Sequence, residues 1–412
     1  MITARGRLAL AAGSAVRWAS RATGRGAGAM IGGLVAMTLD RSLLRQLGQG
    51  RRTVVVTGTN GKSTTTRMTA AALTTLGPEG QVATNAEGAN MDAGLVAALA
   101  ADRDAPLAVL EVDEMHVPHV LDAVDAAVVV LLNLSRDQLD RVGEIAVIER
   151  TLRAGLARHP TAVVVANCDD VLMTSAAYDR AGVVWVAAGG GWSADSISCP
   201  RSGGVIVRDQ GHWYSTGAEL TRPSPHWWFD DDTLYGPDGL ALPMRLSLPG
   251  SVNRGNAAQA VAAAAALGAD PAAAVAAVSL VDEVAGRYRT VRLGEHNVRM
   301  LLAKNPAGWQ EALSMVDTQT AGVVISVNGQ VPDGEDLSWL WDVRFERLDD
   351  VAVVAAGERG TDLAVRLGYA GVRHTLVHDT LAAIASCPPG PVEVVANYTA
   401  FLQLQRRLER PR

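Results

Sequence analysis

Lysine is nearly missing from this 412-residue chain: of 37 basic residues only Lys62 and Lys304 carry an ammonium, and the other 35 are arginine. An ammonium is a compact point charge that fits between phosphate oxygens, whereas a guanidinium is a planar fork, so the two surviving lysines are candidates for chemistry rather than surface charge. Cysteine is scarce as well. Cys168, Cys199 and Cys387 lie far apart and make an odd count, which argues against a disulfide framework and fits a reducing compartment. Charged residues amount to 19% and the formal net charge is -6, so no global field invites nucleic acid. A long apolar run is also lacking near the start. Residues 5–15 have the charged-then-apolar look of a signal peptide, but Arg17, Arg21 and Arg25 interrupt the run before it reaches the roughly 20 residues of a membrane span. A basic helix packed on or near the first domain is the expectation, with contact to an anionic membrane surface as the alternative.

What is present from residue 51 to 150 is an alternation of strand-like and helix-like patterns. Residues 53–56 are a short β-branched run, 63–76 have a helical pattern, and 107–112 and 126–132 are apolar enough for buried strands. A parallel α/β sheet follows. A further strand at 162–166 ends in Asn167-Cys168-Asp169-Asp170, polar residues at the strand edge where such sheets bind ligands. From 189 to 245, glycine, proline and tryptophan replace periodicity, which predicts an insertion. An alanine-rich helix is expected at 253–267. Beyond residue 286, strand-like 323–327, 351–355 and 392–396 alternate with helix-like 361–367, 381–385 and 400–408, a second α/β domain of Rossmann-like pattern. The expected division is a basic helical segment 1–50, a central domain 51–285 carrying the insertion, and a C-terminal domain 286–412.

The chemistry-bearing segment is Gly58-Thr59-Asn60-Gly61-Lys62-Ser63-Thr64, placed between a β-branched strand and a helix start. This is the logic of a P-loop: glycines let backbone N–H groups turn towards phosphates, Lys62 reaches the outer phosphates, and Ser63 binds Mg²⁺. Such a site needs an acid from a neighbouring strand end. Glu111, in Leu110-Glu111-Val112-Asp113-Glu114, is the expected metal ligand. His116 and His119 stand nearby, but a His-x-x-His pair alone specifies no zinc site, and both are taken as structural.

These segments resemble the Mur ligases. Gly-Thr-Asn-Gly-Lys-Ser-Thr is that family's form of the P-loop; Asn133-Leu134-Ser135-Arg136-Asp137-Gln138-Leu139-Asp140-Arg141 resembles its Asn-x-x-x-Asp-His-Leu-Asp segment, with Gln138 in place of histidine. Residues 248–258 resemble its Gly-x-x-Asn-x-x-Asn-Ala motif, which implies that Asn253 and Asn256 face adenine, and Gly286-Arg287 resembles the arginine that reaches the nucleotide from the domain boundary. Within the family the chain is most similar to the MurT-type branch, through Thr84-Asn85-Ala86-Glu87-Gly88-Ala89-Asn90-Met91, Lys304-Asn305-Pro306-Ala307-Gly308 and Asp336-Leu337-Ser338-Trp339-Leu340-Trp341-Asp342.

That resemblance implies a Mur ligase-like central P-loop domain with a parallel sheet, and ATP with Mg²⁺ activating the D-glutamate α-carboxylate of the lipid II stem peptide. Ammonia from a GatD-type glutaminase then completes the amide. It implies substrate contacts at Asn85, Asn90 and Asp140, nucleotide contacts at Lys304 and Asn305, and a carboxylate, Asp342 before Asp336, that completes the partner's Cys-His pair. It also implies a cytoplasmic chain working at the inner membrane face. No Gly-x-Cys-x-Gly elbow occurs here, so the glutaminase is another chain. The family's four-cysteine zinc ribbon is reduced to Cys199-Pro200-Arg201-Ser202-Gly203, with no cysteine around Trp213-Tyr214-Ser215-Thr216-Gly217, so no zinc is expected and Trp213, Trp227, Trp228 and Phe229 are expected to pack the insertion instead. Nor does the central domain offer a lysine for carbamoylation at a second Mg²⁺. Two rival readings stand beside this one: a stand-alone Mur or folylpolyglutamate-type amino-acid ligase, and a nucleotide-binding regulatory subunit without chemistry.

Overall fold

Small residues open the chain as a helical hairpin. In the computed structural model, α1 (Ala4–Ala22) crosses α2 (Ala29–Leu39) so closely that a Cβ on Gly13 would lie 2.4 Å from the Gly32 carbonyl oxygen. The structure describes residues 2–22, 29–79, 81–85, 89–136, 144–190, 192–248, 250–282, 288–317, 319–334, 336–348 and 351–409. A short α3 (Leu43–Gly48) follows the hairpin and buries Leu43, Leu44 and Leu47 in the core beneath the first sheet.

That sheet holds β1 (Arg52–Thr57), β2 (Val82–Thr84), β3 (Leu107–Glu111), β4 (Ala126–Leu131), β5 (Val163–Asn167) and β6 (Val184–Val186), in the order β2-β3-β1-β4-β5-β6 and parallel throughout. Its central strands are near-continuous valine, leucine and alanine because both faces are covered. One face packs Val55, Leu110, Val129 and Val164 against α5 (Asp92–Ala101), α6 (Val117–Ala123), α7 (Glu144–Ala157) and α8 (Val171–Ala177). The other receives α4 (Lys62–Leu73) and α9 (Ser251–Ala266), with α10 (Pro271–Ser279) packed on both. The helix expected over 63–76 ends at Leu73 and tightens into a 3-10 turn, Thr74–Glu79, where Gly77 takes φ +83° ahead of Pro78.

The insertion is not patternless. It forms a hairpin of β7 (Ile206–Asp209) and β8 (His212–Ser215), and a three-stranded sheet of β9 (Trp228–Asp230), β10 (Thr233–Tyr235) and β11 (Ala241–Pro243). Trp213 is buried with Cys199, Ile206 and Leu220 against Val171, and its indole N–H donates to the Cys168 carbonyl at 2.9 Å. Trp227 is buried, whereas Trp228 lies at the surface, stacked on Tyr235 at 5.3 Å.

The second sheet comprises β12 (Tyr288–Leu293), β13 (His296–Leu302), β14 (Gly322–Ser326), β15 (Val353–Ala356), β16 (His374–Leu376) and β17 (Gly390–Ala396), in the order β12-β13-β17-β14-β15-β16. All neighbours are parallel except β12, which pairs antiparallel with β13. Among the described residues, four helices accompany it: α11 (Pro306–Met315), α12 (Gly360–Tyr369), α13 (Thr380–Ser386) and α14 (Tyr398–Glu409). The chain divides into two compact units, Met1–Leu134 with Gly143–Asp282, and Ser135–Val142 with Glu283–Arg412. The expected boundary at residue 286 lies outside the described residues.

Candidate functional site

In the first unit, β1 ends at Thr57 and α4 begins at Lys62, so the chain must reverse within four residues. Gly58 at φ +144° and Gly61 at φ +84° allow it, since a side chain is strained at either angle. The loop is clipped to the second residue after β4: the Asn133 carbonyl accepts from Thr59 N–H at 2.8 Å, its side-chain oxygen accepts from Asn60 N–H at 2.9 Å, and its amide donates to the Asn60 carbonyl at 3.0 Å. Asn133 thereby fixes the loop from outside it. Lys62 is buried, with its ammonium donating to the Gly58 and Thr59 carbonyls and lying 3.4 Å from a Glu114 carboxylate oxygen. Ser63 and Thr64 follow in the first turn of α4, whose N-terminus adds the partial positive charge that favours an anion.

Glu111 closes β3 beside β1, paired in register with Val56. It is 3% exposed, and its Oε2 has no hydrogen-bond partner among the described residues. A buried carboxylate oxygen left unpaired is costly, so this donor set, with the Ser63 hydroxyl on the next strand's helix, fits a divalent cation. Asn85 braces the same point: its Oδ1 accepts from Glu111 N–H at 2.8 Å, and its amide donates to the Glu111 carbonyl at 2.8 Å and to Ala89 at 2.9 Å. Its polar atoms are thus engaged with backbone. Asn90, half-buried, accepts from Asp113 N–H through its own carbonyl at 3.3 Å.

Two partners escaped the sequence. Glu114 contacts Lys62, although Glu111 is the residue that pattern alone selects from that acidic strand end. Asp92, 24 residues before His116, accepts from or bonds to both imidazoles, His116 Nε2 at 3.0 Å and His119 Nε2 at 3.0 Å, closing a clasp between α5 and α6. Only the fold brings those three together.

α9 lays a polar ridge along the P-loop. Asn253 and Asn256 are buried, Asn256 donates to Asn253 at 3.2 Å, and a Cβ on Gly61 would meet the Asn256 Oδ1 at 2.7 Å. One turn on, Gln259 donates to the Leu131 carbonyl at 2.8 Å. Arg287 and Asp140 lie outside the described residues.

The second unit gathers its own candidates. Lys304 holds its ammonium 5.1 Å from the Tyr398 ring centre, and Asn305, 2% exposed, caps α11 by accepting from Gly308 N–H at 2.8 Å. Asp342 follows a 3-10 turn, Ser338–Trp341, with its carboxylate 3.5 Å from the Arg136 guanidinium and its side chain one-third exposed, at 33%. Asp336 is exposed, and hydrogen bonds from the Ser338 backbone and hydroxyl hold its carboxyl below the usual range. Trp339 is buried on Trp309, while Trp341 is exposed, edge-on to Tyr369 and over Arg366.

The degenerate knuckle of the insertion is brought together as well. Burial works to raise the Cys199 thiol, but hydrogen bonds with the Ser202 and Ser215 hydroxyls and the Arg201 and Ser202 backbone outweigh it and hold the thiol below its ordinary value. Cys168, by contrast, is pushed up to about 12 by burial and the neighbouring Asp169 charge.

Comparison with known proteins follows the same division. The Mur ligase middle domain family matches residues 56–264, and the MurT ligase C-terminal family matches residues 302–401. Among curated relatives, the MurT subunit of lipid II isoglutaminyl synthase (glutamine-hydrolyzing) from Streptococcus pneumoniae is 28% identical over 421 residues, covering 93% of this chain and 93% of that one. Its counterpart from Staphylococcus aureus strain COL is 28% identical, covering 96% and 95%. Among solved structures, a pseudomurein peptide ligase type C from Methanothermus fervidus aligns with a TM-score of 0.67 at 17% identity over 87% of this chain and 78% of that one. MurF from Acinetobacter baumannii aligns at 0.65, with 19% identity over 91% and 80%. The Mycobacterium tuberculosis folylpolyglutamate synthase complexed with ADP and AMPPCP aligns at 0.60, with 18% identity over 91% and 94%. At these identities the structural likenesses show the fold alone.

Proposed function

The chain belongs to the Mur ligase family, and we propose that it is the ATP-using subunit of a two-chain lipid II amidase. Its substrate is the D-glutamate α-carboxylate of the lipid II stem peptide, met at the inner face of the cell membrane. A carboxylate is a poor acyl donor until one oxygen becomes a leaving group. Attack of that oxygen on the ATP γ-phosphorus breaks the bond to ADP and forms an acyl phosphate; ammonia then attacks the carbonyl carbon, the C–N bond forms, and phosphate leaves with the acyl oxygen. The name of the relatives, a glutamine-hydrolysing isoglutaminyl synthase subunit, supports the amide product.

The observation that carries the first half is Glu111's unpaired buried oxygen on the strand beside a lysine-bearing P-loop. Glu111 and Ser63 would hold Mg²⁺, which when bound neutralises phosphate charge. Lys62 leaves its loop carbonyls for the outer phosphates and stabilises the phosphoryl group in transfer. Thr64 offers its backbone N–H in the first turn of α4, Thr59 and Asn60 shape the loop by holding it to Asn133, and Asn253 and Asn256 line the same loop for the nucleotide.

The second half needs a nitrogen source. Ammonia is mostly protonated in neutral water, so a glutaminase that delivers it under cover is chemically sensible, and the three cysteines here are buried rather than set as nucleophiles. A GatD-type partner supplies the cysteine and histidine; Asp342, partly exposed beside the exposed Trp341, supplies the acid that orients that histidine. The experiment is reconstitution of this chain with a GatD-type glutaminase, lipid II and ATP, with mass spectrometry of the stem peptide. Asp342→Asn is expected to stop amidation from glutamine and to be rescued by free ammonia. Equal loss with either nitrogen source moves Asp342 into the ligase site. Product formed without a glutaminase but only with an added amino acid overturns the whole reading in favour of a stand-alone ligase.

A further inference from the structure

The first 39 residues differ from the rest of the chain in two independent ways. They contain five arginines, Arg5, Arg7, Arg17, Arg21 and Arg25, and no acidic residue before Asp40, a local charge of +5 in a chain whose formal total is -6. They also turn their large side chains outward. Among the described residues, six of the 19 exposed large apolar side chains, Leu8, Trp18, Met30, Ile31, Leu34 and Leu39, fall within this first tenth of the chain.

The cause is visible in the packing. α1 and α2 meet through Ala9, Gly13, Gly32 and Ala36, and Gly33 approaches the Ala93 backbone of α5, where a Cβ would lie 2.0 Å from the carbonyl oxygen. Small residues therefore make the closest approaches to the protein, with Ile2, Leu10 and Met37 half-buried against its core. On α1 the opposite stripe is Ala4, Leu8, Ala11, Ala15 and Trp18, all exposed and spaced so that they share one helix face. Leu8 is 73% and Trp18 74% exposed; on α2, Met30 is 60%, Ile31 51% and Leu34 63% exposed. A water-facing helix pair ordinarily has this arrangement reversed. The hairpin is also firmly fixed: Arg5 Nε donates to the Leu39 carbonyl at 2.6 Å, and the Gln46 side chain accepts from Thr3 N–H at 2.8 Å. It is a docked element with an apolar outer surface rather than a loose tail.

We propose that the outer face of the α1–α2 hairpin docks in the interface of an anionic phospholipid bilayer. The helices do not span, because none of the described helices is long and apolar enough to cross a membrane. They lie flat instead, with leucine, isoleucine and methionine in the acyl boundary, Trp18 at headgroup depth, and arginines on anionic headgroups. Charge selects this occupant over a second copy of the chain, since apposing two copies of a segment with five arginines and no acid before Asp40 adds repulsion where lipid phosphate adds attraction. The inference deepens the placement of the substrate at a membrane, but its evidence is the hairpin alone, so the vesicles that test it contain no lipid II.

The test is sedimentation of the full-length chain with vesicles of phosphatidylcholine carrying about one-third phosphatidylglycerol, against vesicles of phosphatidylcholine alone. Binding to the anionic vesicles, weakened by salt, is expected. Leu8→Ser with Leu34→Ser should lower the vesicle partition coefficient by on the order of tenfold or more, and Arg7→Gln with Arg17→Gln by about fivefold per arginine. Leu8, Leu34 and Arg7 are at the surface and Arg17 is half-buried beside Gly32, so unfolding is checked by comparing melting temperatures. The same substitutions should leave ATP binding at the P-loop unchanged, which separates failure here from failure of the ligase reading. Absence of binding to anionic vesicles overturns the proposal, as does binding that neither pair of substitutions weakens. A vesicle-independent dimer that Leu8→Ser and Leu34→Ser dissociate also overturns it, and assigns the face to self-association.

Discussion

The P-loop edge of the first sheet and the Cys199 turn of the insertion each set one buried group, the Glu111 carboxylate and the Cys199 thiol, among polar neighbours within one unit, and they settle it in opposite ways. At the sheet edge, Glu111 keeps a buried carboxylate oxygen with no partner, and Lys62 rests on carbonyls of its own loop. At the turn, the Cys199 thiol has the exposed Ser202 and the buried Ser215 hydroxyls as hydrogen-bond partners. An unpaired buried polar atom costs roughly 1–3 kcal/mol. The proposed function puts the chemistry at the first cluster, where the unpaired oxygen stands next to a lysine-bearing loop, and expects no ligand at the second, where hydroxyls accompany the thiol.

The widest test of that contrast is Lys62→Ala. Removing the ammonium takes away several kcal/mol of charge stabilisation, so ATP-dependent amidation should fall on the order of 10²-fold or more while the melting temperature and partner binding hold. Activity retained within a factor of two would remove the P-loop assignment. A smaller effect, of the opposite sign in stability, is expected at Glu111→Gln. Here activity falls with loss of the cation ligand, yet the unfolding free energy stays level or rises by about 1 kcal/mol, because a neutral amide costs less to bury than a carboxylate. A clear loss of stability would mean that Glu111 is a structural member of the sheet and that the two clusters are alike.

Legibility in the sequence tracked how local each cause is. The strands at 52–57, 107–111, 126–131 and 163–167 announce themselves as apolar runs because both their faces are buried. β12 and β13 went unread. Arg289, Arg292, Asn297 and Arg299 interrupt that hairpin, so neither β12 at the sheet edge nor β13 beside it carries a continuous apolar signal. The loop glycines and Lys62 were legible because a phosphate site is built from one contiguous turn, whereas Glu114 at Lys62 and Asp92 between two histidines depend on parts of the chain that only the sheet brings together. The same holds in the insertion: Ser202 was visible as a substitute within its knuckle, but nothing in the sequence showed Ser215 reaching the same sulfur.

The closed state of that turn makes the smallest and most specific prediction. The purified chain should carry well under one equivalent of zinc, and a full equivalent lost on Cys199→Ser would show that the cluster still awaits a ligand. If the serines have taken over, they hold the thiol low against the burial that opposes them. Ser202→Ala with Ser215→Ala leaves burial opposed only by the Arg201 and Ser202 backbone and should raise the Cys199 thiol from its lowered position. Thiolate absorbance against pH, taken as a difference from Cys199→Ala, reads this directly, because Cys168 at about 12 and the raised Cys387 titrate later. The linkage has a definite sign. A folded-state value below the unfolded one contributes stability that is full above the unfolded thiol's pKa and lost as pH falls through the folded value, so the hydroxyl bonds stabilise under alkaline conditions and add little at neutrality. The double variant should therefore diverge from the natural chain only as the pH rises past the Cys199 titration. An unchanged thiolate curve would mean that the hydroxyls do not hold the sulfur, and the contrast between the two clusters would then rest on Glu111 alone.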